Sequence, residues 1–91
     1  MATISVIYDA LDRERKYQDS KWGTIKEHPH TVGEWLLIVQ GELDEAINAW
    51  QKGKGDAGAL EELLQVMAVC RACFEQCGVV ERAQIIGTTH A

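Results

Sequence analysis

Apolar residues return every three or four positions through most of the chain, and nowhere do they alternate for long. Ile4, Ile7, Tyr8 and Leu11 keep that spacing, which predicts a first helix over about 3–19. Its second half, Asp12-Arg13-Glu14-Arg15-Lys16, is charged. Ser20 to His30, with Trp22, Gly23 and Pro29, is predicted as a loop. Thr31-Val32-Gly33-Glu34 has the form of a capping box, a threonine with a glutamate three residues on, so a second helix starts there. Leu36, Val39, Leu43, Ala46, Ile47 and Trp50 make its apolar stripe. The helix runs into Lys52-Gly53-Lys54-Gly55, where lysines complement the carbonyl end and glycines stop the helix. Asp56 is the predicted N-cap of a third helix. Between Leu63 and Phe74 only Gln65 and Arg71 are polar. A helix apolar almost all round belongs at the centre of a bundle. Gly78 is its predicted stop, and a further short helix is expected within Val79 to Ala91.

One hairpin and one extra helix cannot enclose such a third helix. The predicted fold is therefore all-α: an antiparallel helical hairpin plus an N-terminal helix, completing a four-helix bundle core by oligomerisation. The expected assembly is a homodimer or a dimer of dimers. Ninety-one residues make one domain, with its core over about 31–77 and a short extension over 78–91. A chain of this length buries only about 60–65% of its unfolded surface, which again favours a second copy. A single proline suits long helices.

The formal net charge of −5, with no basic stripe, argues against a nucleic-acid partner. No signal-peptide pattern is legible in residues 1–12, and no 18-residue apolar run predicts a membrane span. The three cysteines, Cys70, Cys73 and Cys77, are an odd number on one segment. The expectation is a cytoplasmic protein with reduced thiols.

The chemistry suggested by the pattern lies either side of the glycine turn. Glu42 and Glu45 stand three apart, as do Glu62 and Gln65. Glu42 and Gln65 are equidistant from the midpoint between Gly53 and Lys54, and so are Glu45 and Glu62. Folded back antiparallel, the two helices bring three carboxylates and one amide into a single layer. Like charges three apart destabilise a helix by a few tenths of a kcal/mol, so something should offset them. Mg²⁺ is the expected cofactor, with Mn²⁺ as the alternative, because hard cations take oxygen ligands and facing helices hold metals in bundles. By the helical step, Trp35 and Ile38 lie within about 40° of Glu42, and Val66, Val69 and Cys73 within about 40° of Glu62. A solvated face would not be so apolar.

This pattern resembles the metal signature of the MazG-like, all-alpha nucleoside triphosphate pyrophosphatases: Glu-x-x-Glu on one helix, then Glu-x-x-Asp on the next. Arg13 to Lys16 followed by Lys21-Trp22-Gly23 is similar to a basic stretch that precedes the pairs in small members. His28-Pro29 and Thr31 to Leu36 look like the family's approach to its second helix. The resemblance covers about residues 13 to 77. It implies Mg²⁺-dependent cleavage of a nucleoside triphosphate to monophosphate and pyrophosphate, as house-cleaning of unwanted or modified nucleotides. It also implies that Glu42, Glu45 and Glu62 are catalytic metal ligands, with Gln65 at the fourth metal position. Two residues depart from the pattern. Gly41 stands where a further Glu is frequent, and Gln65 replaces the Asp. They keep open an alternative: a non-catalytic helical dimerisation or nucleotide-binding module on the same fold.

Lys16, Lys21 and Trp22 are expected to bind substrate from a flap formed by the first loop, lysines to phosphates and Trp22 against the base. Lys26 lies in the same loop. Trp35 is a candidate wall of the base pocket. Lys52 and Lys54 read as helix-dipole partners, since no P-loop pattern is present. Cys70, Cys73 and Cys77 lack a fourth ligand for zinc and read as reduced core thiols. His28, His30 and His90 are too loosely placed to pair with a cysteine nucleophile.

Overall fold

The computed structural model describes residues 1–82 and is helical, with no strand among them. The helix expected within 79–91, with His90, lies for the most part outside those residues. Helix α1 spans Ile4–Trp22, α2 spans Val32–Ala49 and α3 spans Gly55–Cys77. None of the three is long and apolar enough to cross a membrane.

Each boundary has a local cause. The Thr3 hydroxyl accepts from the Val6 N–H and starts α1. The helix runs three residues beyond the predicted end because nothing breaks it before Gly23. Ser20 merely turns its hydroxyl back to the Tyr17 carbonyl, and the Gly23 N–H closes the last turn on Asp19. Gly23 then leaves with φ 88°, and a Cβ there would lie 2.6 Å from the His28 ring. Lys21 and Trp22 are thus fixed on the last turn of α1, not on a flap. The capping box at Thr31 and Glu34 is formed on both sides.

The reversal between α2 and α3 is a wide turn over Trp50–Lys54, centred on Gly53 at φ 92°. Asp56 does not cap α3. The helix starts at Gly55 without a side-chain cap, and the Asp56 carboxylate instead accepts from the indole N–H of Trp50 at 3.0 Å. Gly78 ends α3 as predicted, at φ 91°.

Helix α3 is the one element that packs against both others. Trp35 of α2 meets Val69 and Ala72, flanked by Ile25, Ile38, Val39 and Cys73. On the α1 side, Leu11, Arg15 and Gln18 are buried, against α3 with its small Ala68 and Ala72. Arg15 is only 5% exposed. Its guanidinium reaches Glu75 through two N–H groups at 3.0 Å and Asp19 at 2.8 Å. Arg71 joins Glu75 to Asp12. Gln18, on the other flank of α1, donates to the Gln65 carbonyl at 3.3 Å. Gln65 and Glu75 stand roughly 15 Å apart along α3, so α1 lies across α3 rather than along it.

The hairpin face away from α1 is left open. Leu36, Leu43 and Ile47 of α2, Trp50 just after it, and Leu60, Leu63, Met67 and Phe74 of α3 are all exposed. By the helical step both sets turn to that one side. The predicted α2 stripe is therefore split: Ala46 is buried, Val39 is half-buried, and the rest faces outward.

Replacing Arg15 by Met should cost about 2 kcal/mol, because it removes the charge-assisted hydrogen bonds to Glu75 and Asp19 while leaving those carboxylates partly solvated. The same change at the more exposed Arg71 should cost under about 1 kcal/mol. Urea unfolding of the two variants measures the contrast.

Candidate metal centre

The register of the hairpin brings the acidic positions together. Glu42 and Glu45 project from adjacent turns of α2, and Glu62 meets them from α3. Each offers a carboxylate oxygen, and the three oxygens lie within 4.8 Å of one another. Glu45 is exposed, while Glu42 and Glu62 are half-buried. Glu42 Oε2 and Glu62 Oε2 are both sealed from solvent and have no hydrogen-bond partner. At an effective dielectric of about 20, two charges at this separation repel by about 3 kcal/mol, and by less at the exposed Glu45. Burial pushes the Glu42 carboxyl above its ordinary 4.5, and the charges of Glu45, Glu62 and Glu14 add to the shift. A divalent cation would relieve both problems, since it would neutralise the charge and give the orphaned oxygens a partner. The donor set, all oxygen, fits Mg²⁺ or Mn²⁺.

Gln65 stands one turn beyond Glu62 on the same flank of α3 and is half-buried. Asp44 and Glu61 are exposed, off the shared face.

Glu42 also borders a cavity of about 200 Å³ between α1, the loop after it and the start of α2. Trp22, Ile25, Trp35, Ile38, Val69 and Ala72 give it apolar walls, and Arg15, Gln18 and Asp19 edge it with polar groups. Trp35 is both core and wall, 7% exposed. Gln76 holds it in place: its side-chain oxygen accepts from the Trp35 indole at 3.0 Å and from the His30 backbone at 3.1 Å, and its amide donates to the His30 carbonyl. The His30 ring stands edge-on to Trp35 at 4.8 Å.

The expected substrate residues divide. Trp22 and Trp35 line the cavity. The Lys21 ammonium sits 4.6 Å from the centre of the Trp22 ring and 5.9 Å from that of Tyr17. Lys16 is exposed on the far flank of α1, where its charge acts on Asp12; it is not brought to the acidic layer. Lys26 is an exposed loop residue.

Three residues near the site carried no signal strong enough to single them out: Glu14, Gln18 and Gln76. Glu14 and Gln18 share a flank of α1 by their spacing, but only the crossing of α1 over α3 turns that flank to the acids. All three cysteines are free thiols. Burial, followed by its neighbours Cys77 and Cys70, raises the Cys73 thiol, and among the described residues no cysteine joins a metal-type cluster.

No family model, curated protein or solved structure matches this chain.

A raised carboxyl pKa means that the folded chain holds the Glu42 proton longer than the unfolded chain does. The contribution of Glu42 is favourable below about 4.5 and is lost as pH rises through the folded pKa. Without metal, Glu42→Gln should therefore gain stability over wild type at pH 8 and not at pH 4. Urea unfolding in EDTA at the two pH values tests the sign.

Proposed function

We propose that the protein is a Mg²⁺-dependent nucleoside triphosphate pyrophosphohydrolase that removes unwanted or modified nucleotides. One observation carries the reading. Glu42 belongs both to a layer of three converging carboxylates with two orphaned buried oxygens and to the rim of an aromatic-walled cavity. A polyphosphate with its cation and an attached flat base need those two environments side by side. The reading agrees with the resemblance of the Glu42, Glu45 and Glu62 pattern to the MazG-like enzymes.

Bound Mg²⁺ would neutralise the triphosphate and acidify a coordinated water. Glu42, Glu45 and Glu62 would hold the ion, and a carboxylate among them would orient the attacking water and accept its proton. Gln65 contributes an amide at the fourth position. Attack breaks the anhydride bond between the α- and β-phosphates, so a monophosphate and pyrophosphate leave. Lys21 on the last turn of α1 steers phosphate, while Trp22 and Trp35 wall the base. Lys16 has no part in this scheme.

The open apolar face of the hairpin supports a two-fold partner. Leu60, Leu63, Met67 and Phe74 follow a heptad spacing, the pattern of a helix seam that needs another helix. A second hairpin laid on it would complete a four-helix core. That interface serves the alternative equally well: a dimerisation or nucleotide-binding module, favoured by Gln65 and Gly41, would keep the face and lack turnover.

Two measurements decide between them. A pyrophosphate-release assay over a panel of nucleoside triphosphates with Mg²⁺ should show turnover, reduced at least about 100-fold in Glu45→Gln and in Glu62→Gln. Absence of turnover on every triphosphate at high protein concentration would leave only the module. Independently, Met67→Glu should shift the sedimentation coefficient from dimer to monomer, since a charge at the seam's centre loses its solvation on pairing.

A further inference from the structure

The aromatic-walled cavity takes part of its polar edge from one stripe of α1. Arg15, Gln18, Asp19 and Trp22 all line it, at the three- and four-residue spacing that puts side chains on one face of a helix. We propose that Gln18 and Asp19 select an amino-bearing base, cytosine or adenine, over its keto counterpart. The inference rests on reading this cavity as the site of the base; it needs neither the cation nor the hydrolysis.

Gln18 is 7% exposed, and its amide is held one way round. The nitrogen is the end that meets the Gln65 carbonyl, at 3.3 Å, because a carbonyl oxygen can only accept. The amide oxygen is thereby turned from α3, and no described residue donates to it. Among the described residues the sealed, unpartnered side-chain atoms are the Glu42 and Glu62 oxygens, so the Gln18 oxygen reaches open space. In a residue this buried, that space is the cavity it lines. Asp19 is held as firmly. One of its oxygens accepts from Arg15 at 2.8 Å, and the other is left without a described donor on a partly exposed side chain.

The donors beside these two acceptors are already engaged. Arg15 turns all three of its nitrogens to Glu75 and Asp19. Thr24 gives its hydroxyl and its backbone N–H to Glu27, and the Trp35 indole donates to Gln76. The side-chain donors left over, on the Trp22 indole and the His28 and His30 rings, belong to the last turn of α1 and the loop after it. The stretch between Arg15 and Asp19 therefore offers a ligand acceptors. An exocyclic amine on a flat ring has two N–H groups to give them. A keto oxygen in the same place would set oxygen against oxygen and leave a buried acceptor unpaired, which is how a polar site rejects an analogue of the same shape.

Tryptophan fluorescence of the full chain, titrated with nucleosides in EDTA, tests the proposal. Trp22 and Trp35 line the cavity, and Trp50, held by Asp56 at the far turn, is a constant background. Cytidine against uridine, and adenosine against inosine, exchange an amine for a keto oxygen at one position. Without phosphate or metal, the result is independent of the acidic layer. In the unsubstituted protein the amino member should bind at least about 10-fold more tightly in at least one pair. Gln18→Met should bring that pair within about 3-fold. Because Gln18 also supports Gln65, Asp19→Asn is the second variant: it keeps an oxygen for Arg15, presents an N–H₂ to the base, and should lower the preference at least about 3-fold. Equal affinities within both pairs, or a keto preference, overturn the selection by the base edge and leave the cavity as a base site. An unchanged preference in both folded variants overturns its assignment to Gln18 and Asp19. Absence of quenching by every nucleoside at millimolar concentration overturns the base site and the proposal with it. An amino preference in a protein that hydrolyses no triphosphate upholds the proposal while the hydrolase reading falls.

Discussion

The buried guanidinium of Arg15 is the constraint on which the arrangement of this protein depends. It reaches Glu75 with two parallel N–H groups and Asp19 with a third, a geometry that fixes direction as well as distance. Its charge is buried, so the pair cannot slip without leaving a cation uncompensated in the interior. The fork therefore holds α1 across α3. From that crossing follow the cavity between α1 and α2, the position of Trp22 above it and the flank of α1 that faces the acidic layer. The small Ala68 and Ala72 belong to the same design, because larger side chains there would lift α1 away.

The second organising term is repulsive. Three carboxylates converge where a fold optimised for stability alone would avoid them. The hairpin forces the convergence, and one oxygen each of Glu42 and Glu62 is sealed from solvent there. Buried, unpartnered oxygens mark a place where stability has been given up locally, and such places cluster at functional sites. The same hairpin leaves its far face apolar and open. A small chain that spends interior volume on an acidic layer and a cavity has little core of its own, and the open seam is where a second copy would supply more.

Much of this was legible in the sequence. The capping box at Thr31 and Glu34, the Gly53 turn and the Gly78 stop act through the backbone of a few neighbouring residues, and all three stand where the pattern predicted. Two local signals misled. Ser20 has the composition of a loop start, yet its hydroxyl folds back on the Tyr17 carbonyl and the helix continues to Trp22. Asp56 has the side chain of a cap, but the Trp50 indole claims its carboxylate. In both cases a polar side chain had two available partners, and composition does not say which it takes.

What the chain by itself determined is the periodicity, hence three helices, and the symmetric placement of two acidic pairs about one turn, hence the meeting of Glu42, Glu45 and Glu62. Those follow from the constant rise and twist of a helix, which convert sequence spacing directly into position. Only the tertiary structure decided how α1 crosses α3. No periodicity encodes that angle, because it is set by side chains sixty residues apart, Arg15 and Glu75, finding each other. That crossing is what separates Lys16 from the acidic layer and puts Trp22 and Trp35 in one cavity.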